Sequence, residues 1–297
     1  MDSGPGRWDN DGEHALGSAM FIRDAVFPRF GGSDGGDMCA DGSRLLVHVL
    51  GPVGVCRNGS EVPIGKARTR AVLAYLVIHR GSVVPADVMV DALWAGDSPD
   101  GARHAVQVAV SSLRAILGPA PAESASERIV SFPSGYMLAL GHQELDVAIA
   151  QDLAGKAGAL TRSNRLEDAE NCLLTAEALW RGPPFAEFLY SEFAQAPIRQ
   201  LEEFRLGLTE DRIDVQLDLG RHHEIIPELE ALVLEHPSRE RFLGQLMIAL
   251  YRSDRPLDAE LAFERAAERL RREYGATPGK MVRELASDLR TSSVDIA

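Results

Sequence analysis

The order of predicted elements between residues 45 and 142 is the feature that most restricts the fold of this chain. Two short strand patterns, LLVHVL and GPVGVCRNGSEVPI, come first, and the second contains Asn58–Gly59, a strong hairpin signal. Three helical patterns follow, each closed by a glycine: KARTRAVLAYLVIHRG, PADVMVDALWAG and PDGARHAVQVAVSSLRAILG. Two alternating apolar runs, RIVSF and YMLAL, then flank a Pro-Ser-Gly turn. This order predicts a winged helix-turn-helix with an N-terminal sheet, and we expect residues 45–142 to fold by themselves.

Beyond residue 145 the pattern is almost entirely helical, with breaks that divide it into about seven helices. A 34-residue repeat is present, in which one set of positions recurs in the next helix pair: Gly220, Ile225, Leu229 and Leu232, then Asp254, Ala259, Phe263 and Ala266. An earlier pair, with Ala169, Leu173 and Ala176, fits the same template. Thirty-four residues is the tetratricopeptide period, so this half is predicted to be tetratricopeptide-like, with a generic helical bundle as the alternative.

The distribution of charge separates these regions. The chain has a net charge of −13, which at first argues against binding to nucleic acid. Residues 45–142, however, carry eight basic and seven acidic side chains, whereas residues 1–44 carry four and eight. The acidity therefore lies mostly outside the predicted winged helix, and a near-neutral segment can bind DNA if its cations share one face.

The whole sequence predicts a mainly α fold with a small β component. Residues 1–44 are rich in Gly and Asp and are expected to form a disordered arm, and residues 291–297 a tail. The two domains between them are 45–142, the winged helix, and 145–290, the helical domain. No apolar run approaches the length of a membrane span, and the N-terminus lacks the pattern of a secretory signal. We therefore expect a cytoplasmic protein without membrane contact, which the three dispersed cysteines also favour.

The third helical pattern carries the candidate nucleic-acid interface. Val106, Val110, Leu113 and Leu117 share one narrow sector, with Ala109 and Ile116 beside it, and form the predicted buried stripe. The opposite face has no acidic residue and bears these polar side chains: Arg103, His104, Gln107, Ser111 and Arg114. Arg and Gln match the edges of guanine and adenine, and Ser and His can contact base or phosphate. A merely solvated polar face is the alternative.

Two other groups of residues complete the predicted interface. Lys66, Arg68 and Arg70 cluster at the start of the first helix, where free backbone N–H groups also favour a phosphate. They could equally be a solvated helix start. At the tip of the hairpin we expect Ser134, Gly135 and Tyr136, with Tyr136 half-buried beneath the wing.

Signatures of enzymes are weak in this sequence. GSEVPIGKA has its glycines six residues apart rather than five, and Ala67 occupies the place of the Ser or Thr that binds Mg²⁺ in a phosphate loop. The eight histidines show no HExxH spacing, and no CxxC pair occurs. We therefore predict no catalytic residues, no cofactor and no metal.

These patterns together resemble a known family. LLVHVLGPVGV, IGKARTRAVLAYLV, VDALWAGDSPDGARHAVQVAVSSLRAILG and PSGYML resemble the N-terminal half of the Streptomyces antibiotic regulatory proteins. LTAEALWRGPPFAEF and the stretch from FAQAPIRQLEEF to REYGATPG are similar to that family's bacterial transcriptional activator domain. The resemblance covers about residues 45–290, and its second block is the more specific.

The resemblance implies an OmpR-type winged helix, resembling a two-component regulator without a receiver, and a tetratricopeptide-like activator domain. It also implies that the chain activates secondary-metabolite (antibiotic) gene clusters. The partners implied are promoter DNA with direct repeats, a homodimer or side-by-side copies on that DNA, and RNA polymerase with its sigma factor. The chain resembles the small, stand-alone members of the family.

Two departures from the family pattern weaken the expected DNA face. Ser112 and Ala115 stand where arginines are common in the third helix, and Ser131–Phe132 replaces a Thr-Arg pair at the start of the wing. Two other functions therefore stay open: a tetratricopeptide adaptor with weak or no DNA binding, and a ligand-responsive repressor, although no sequence feature marks a ligand pocket.

Overall fold

The computed structural model describes residues 45–94, 96, 98–119 and 127–291. Within these ranges the chain forms two compact units: residues up to 151 together with 178–202, and residues 152–177 together with those from 203 onwards. The predicted arm, 1–44, and all of the predicted tail except Thr291 lie outside the described residues. The described fold is mainly α-helical with two small antiparallel sheets, which confirms the predicted fold class.

The first sheet contains three strands in the order of the chain: β1 (Leu45–His48), β2 (Gly54–Arg57) and β3 (Ser60–Val62). Strand β2 turns into β3 at Asn58 and Gly59, whose φ angles are 52° and 79°. Positive φ at both central residues is the geometry of the two-residue hairpin turns that match strand twist. The hairpin predicted from Asn58–Gly59 is therefore confirmed.

Three helices and a second sheet complete the winged helix. The elements that follow β3 are α1 (Ala67–Ile78), β4 (Val84–Pro85), α2 (Ala86–Trp94), α3 (Ala102–Leu117), β5 (Ile129–Phe132) and β6 (Gly135–Leu138). The second sheet has the order β4-β6-β5, and we call β5, β6 and their turn the wing. Pro85, the first residue of the helical pattern PADVMVDALWAG, lies in β4 and pairs with Gly135, so the helix begins one residue later, at Ala86.

The core of the first unit lies between α1, α3 and the wing. Helix α1 is buried almost all round, from Ala71 to Val77. The predicted apolar stripe of α3 is confirmed, since Val106, Val110, Leu113 and Leu117 are all buried. Ile129 and Leu138 of the wing belong to the same apolar cluster. Helix α3 is thus fixed on one side and open on the other.

A segment from the predicted helical domain completes this first unit. Phe185, Phe188 and Ala194 join the same apolar cluster as α1 and α3. The backbone N–H of Arg181 donates to the carbonyl of Leu50 at 2.7 Å, and that of Phe185 to the carbonyl of Val49 at 2.9 Å. Residues 178–202, which the sequence grouped with 145–290, therefore pack against the first sheet as part of the winged-helix unit.

Seven α-helices follow the wing in the described part of the chain, as the sequence predicts. They are α4 (Asp146–Arg162), α5 (Leu166–Glu177), α6 (Glu192–Asp218), α7 (His222–Glu235), α8 (Glu240–Arg252), α9 (Pro256–Tyr274) and α10 (Lys280–Thr291). The division between the two units runs through α4 and α6. None of the helices within the described ranges combines the length and the apolar character that a membrane span needs.

The second unit repeats one turn three times. Asn164, Gly220 and Asp254 each have positive φ, at 56°, 77° and 58°, and each precedes the start of a helix by two residues. The next residue, an arginine every time, donates its backbone N–H to a carbonyl five residues back, at 2.9–3.0 Å. This is the Schellman closure of a helix. The predicted 34-residue repeat is therefore a structural repeat, and the helix pairs are tetratricopeptide-like.

Candidate nucleic-acid interface

The open face of α3 carries four of the predicted residues. Arg103, His104, Gln107 and Ser111 are exposed, and the helix contains no acidic residue. The side chains of His104, Gln107 and Ser111 make no hydrogen bond to any residue that the structure describes. Their donors and acceptors are therefore available to base edges or phosphates.

Val108 is a residue of this face that sequence reasoning missed. Its side chain is 51% exposed, between His104 and Ser112 on the helix surface. An exposed valine on a helix that could enter a major groove can contact the methyl group of thymine. On the helical wheel Val108 lies almost opposite the buried stripe, but an interpretation that considered only polar side chains on that face passed over it.

Arg103 is exposed but already has an ionic partner. Its guanidinium makes a two-pronged ion pair with the carboxylate of Asp87 on α2, and both side chains are about two-thirds exposed. The pair holds Arg103 at the edge of the open face and cancels most of its charge there.

Arg114 points away from the open face and holds the wing. Its Nε and one terminal nitrogen donate to the carbonyl of Ile129 at 3.0 and 2.8 Å, and the same terminal nitrogen donates to Oγ of Ser131 at 2.8 Å. The carboxylate of Glu127 lies 3.0 Å from Nε. The donors of Arg114 therefore fix β5 to α3, and its contact with DNA stays a prediction.

Two arginines that the sequence did not single out fix the C-terminal end of α3. Arg57 of β2 donates to the carbonyl of Ile116 at 2.5 Å, and the buried Arg128 donates to the carbonyl of Leu117 at 2.8 Å. Glu144 balances the charge of Arg128 at 2.6 Å. The last carbonyls of a helix have no partner within the helix, so these bonds satisfy them and set the position of α3. No local sequence signal marks such long-range partners.

The three cations at the start of α1 differ in their availability. Lys66 is exposed at the N-cap position, and its side chain makes no hydrogen bond or ion pair with the described residues. Arg68 stacks over the Trp94 ring, 3.8 Å from its centroid, and donates to the carbonyl of Leu93. Arg70 donates to the carbonyl of Gly65 and lies 3.6 Å from Glu187. Lys66 is therefore the cation of this group that is most available to a phosphate.

At the wing, Ser134 is exposed and Tyr136 packs half-buried against the core, as expected. Gly135 is buried, and a Cβ there would lie 1.8 Å from the carbonyl oxygen of Val84. The lack of a side chain at Gly135 therefore admits strand β4, and its place in the DNA interface stays a prediction. Phe132, 39% exposed, is a further side chain on the wing surface.

Nothing in the described ranges resembles a metal centre. No group of three or more His, Cys, Asp or Glu side chains converges there as ligands would. The arrangement instead provides a helix face rich in hydrogen-bonding groups, with a wing beside it and one available lysine.

Comparisons with known proteins match both halves of the chain. Residues 60–138 match the family described as Transcriptional regulatory protein, C terminal, and residues 145–290 match Bacterial transcriptional activator domain. Regulatory protein DnrI of Streptomyces peucetius is 30% identical over 245 residues, which are 81% of this chain and 90% of that protein. The chain belongs to the family of Streptomyces antibiotic regulatory proteins. The relatives named here are regulatory proteins by name.

Other members of the family are longer than the region matched. Regulatory protein AfsR of Streptomyces coelicolor is 37% identical over 82% of this chain, which spans only 24% of AfsR. A solved structure, Mycobacterium tuberculosis EmbR in complex with low affinity phosphopeptide, has a TM-score of 0.79 and 31% identity. That match covers 84% of this chain and 66% of the EmbR chain.

Proposed function

We propose that this chain is a sequence-specific DNA-binding activator that reads the major groove with α3. The observation that carries the proposal is the open face of α3, where His104, Gln107 and Ser111 have free hydrogen-bonding groups and no acidic residue intervenes. Gln107 suits the two hydrogen-bonding atoms of an adenine edge, and Val108 suits a thymine methyl group.

Contacts around α3 would set the register on the duplex. Lys66 is proposed to bind a phosphate beside the start of α1, and Ser134 with Phe132 to meet the DNA at the wing. Arg103, oriented by Asp87, is proposed to contact the edge of the groove. Contacts to phosphate position a protein without carrying sequence information, so specificity falls to α3.

The likeness to the family supports the rest of the proposal. The chain would bind direct repeats as a homodimer or as side-by-side copies, and recruit RNA polymerase with its sigma factor through the helical half. The genes controlled would be a secondary-metabolite cluster, since the relatives named above include regulators from Streptomyces.

The test is binding to the DNA upstream of the chain's own gene and its neighbours. Gln107→Ala should weaken specific binding by about 1–3 kcal/mol and relax the preference at one base pair. Gln151→Ala, an exposed glutamine on α4 outside the interface, is the matched control and should bind as the unchanged chain does. If Gln107→Ala and the control bind alike to every sequence tested, α3 is not the reading element. In vitro transcription at equal promoter occupancy then separates activator from repressor.

One observation favours a protein-interaction adaptor as the second candidate. Arg68, Arg70, Arg103 and Arg114 each have a partner within the chain, so the DNA face is less basic than the sequence alone indicates. An adaptor should show no DNA binding even at low salt, where phosphate contacts are strongest. Measurable binding at about 50 mM salt that falls steeply towards 200 mM would exclude this function.

A further inference from the structure

A concave cavity of about 330 Å³ lies in the second unit between α7, α8 and α9. Its floor is apolar and is formed by Val233, Leu243, Leu246, Leu250, Leu261 and Ala266. Leu234, two-thirds exposed, stands at its rim. Cavities of this size with an apolar floor and few polar groups are typical of small-molecule sites.

The charged residues that line the cavity are not equivalent. Arg239 pairs with Glu203 and Glu210, Arg255 pairs with Asp258, and Arg269 pairs with Glu273. Arg265 is exposed and lines the same cavity, yet it makes no ion pair or hydrogen bond with any described residue. One unpaired guanidinium therefore stands beside an apolar floor, and the exposed carboxylate of Glu230, on the α7 side of the cavity, is the lining acid that likewise has no ion pair with a described residue.

We propose that this cavity binds a small organic anion, with an apolar body against the leucine floor and a carboxylate or sulfonate paired with Arg265. Guanidinium groups bind such anions through charge-assisted hydrogen bonds, which are stronger than neutral ones. The described residues of the second unit carry 23 acidic and 17 basic side chains, so the unit as a whole repels anions and the attraction is local. The site gives the ligand-responsive alternative a defined place in the fold.

A larger cavity in the same unit is less suited to such a ligand. It measures about 620 Å³ and is lined by Asp254, Glu260 and Arg290. Its cation is already bound, because Arg290 pairs with Glu260 and Glu264. An anion there would meet carboxylates without a free positive partner.

The experiment titrates the full chain with 1-anilinonaphthalene-8-sulfonate, an apolar anion whose fluorescence rises on binding. We expect one saturable site per chain, with dodecanoate competing and the neutral dodecanol competing poorly. Arg265→Gln should weaken binding by about tenfold, the value of one hydrogen bond to a charged group. Arg283→Gln, an exposed arginine on α10 outside the cavity, is the matched control and should change nothing.

A second pair of variants tests the cavity independently of charge. Ala266→Phe should fill the floor and abolish binding, whereas Ala267→Phe, outside the cavity on the same helix, should not. Circular dichroism checks that each variant is folded. If Ala266→Phe does not fold, the Arg265→Gln variant still tests the site, because Arg265 is exposed and its replacement leaves the core intact. Binding that survives both Arg265→Gln and Ala266→Phe would overturn the site. Equal competition by dodecanol and dodecanoate would overturn the assignment of an anion.

Discussion

Arg114 donates two hydrogen bonds, at 3.0 and 2.8 Å, to the backbone carbonyl of Ile129, and so joins α3 to the first residue of the wing. Leaving a buried strand carbonyl without its hydrogen-bond donor lowers the free energy of unfolding substantially. Removing an exposed arginine from a DNA-binding face changes that free energy little. Arg114 is therefore expected to affect stability before it affects recognition.

We expect Arg114→Ala to lower the free energy of unfolding by about 1–3 kcal/mol, because the carbonyl of Ile129 loses a charged donor. DNA binding should weaken by a similar factor on every sequence, since the wing loosens while the α3 face is unchanged. Denaturant unfolding and binding to a set of operator variants measure the two effects. A changed preference at a single base pair, with unchanged stability, would contradict this role.

The sequence predicted correctly those structural features that a local pattern of residues determines. The 3.6-residue period of α3 identified both its buried stripe and its open face, and Asn58–Gly59 identified its hairpin. The pattern could not show that Arg114 faces Ile129, because the two residues belong to different elements, 15 positions apart, and the period of one helix says nothing of its partners in another element. Nor could it show that Phe185 completes the core beside Val49, 136 positions earlier in the chain. Contacts over such separations depend on the assembled fold and leave no periodic signal.

Two buried groups near the first sheet should give opposite responses to pH. The carboxylate of Asp146 accepts hydrogen bonds from the N–H groups of Val49 and Leu50, but burial raises its pKa to about 6. Burial, with help from Arg181, lowers the pKa of His48 to about 4. The proton on Asp146 therefore contributes stability that is lost as pH rises towards 6. The neutral His48 contributes stability that grows between about pH 4 and 6.5.

Between pH 4 and 6 the effects of Asp146 and His48 on the free energy of unfolding should nearly cancel in the unchanged protein. Asp146→Asn can keep the bonds to Val49 and Leu50, and its free energy of unfolding should rise with pH by up to about 1.4 kcal/mol per pH unit. His48→Gln should give a slope of the opposite sign. Denaturant unfolding at several pH values measures both slopes, and each variant serves as the control for the other. Parallel profiles for the two variants would show that neither group titrates as described.

A fragment of residues 45–142 should be far less stable than the sequence indicates. It lacks Asp146, which binds the turn after β1, and the two aromatic residues Phe185 and Phe188 of the core. Loss of one buried phenylalanine costs about 3–5 kcal/mol, which is comparable to the whole stability of many small domains. We therefore expect no cooperative unfolding transition at 25 °C. In the full chain, Phe185→Ala should destabilise the same unit, and a fragment that unfolds cooperatively would disprove the dependence.

Gly135 offers a direct test of the packing at the wing. Gly135→Ala would place a Cβ 1.8 Å from the carbonyl oxygen of Val84, so β4 and β6 would have to separate. We expect a loss of at least about 3 kcal/mol, the upper range for overpacking, since the neighbour is backbone and cannot rotate away. Gly141→Ala is the matched control, with its nearest atom at 3.8 Å, and should be close to neutral. Thermal unfolding of Gly135→Ala and Gly141→Ala measures the two losses of stability, and equal losses would contradict the prediction.

The ion pair between Arg103 and Asp87 bears on recognition more than on stability. Because both side chains are about two-thirds exposed, Asp87→Asn should change the free energy of unfolding by less than about 1 kcal/mol. The released Arg103 adds one cation to the DNA face, so non-specific affinity should rise and its salt dependence should steepen by about one charge. Specific affinity should rise less, because Arg103 loses its fixed orientation, and the ratio of specific to non-specific binding should fall.

Titrations on operator and random DNA at several salt concentrations test this prediction. Asp100→Asn, an exposed acid just before α3 with no ion pair among the described residues, controls for the change in net charge. If both variants behave alike, the effect belongs to net charge and Arg103 has no oriented contact with DNA.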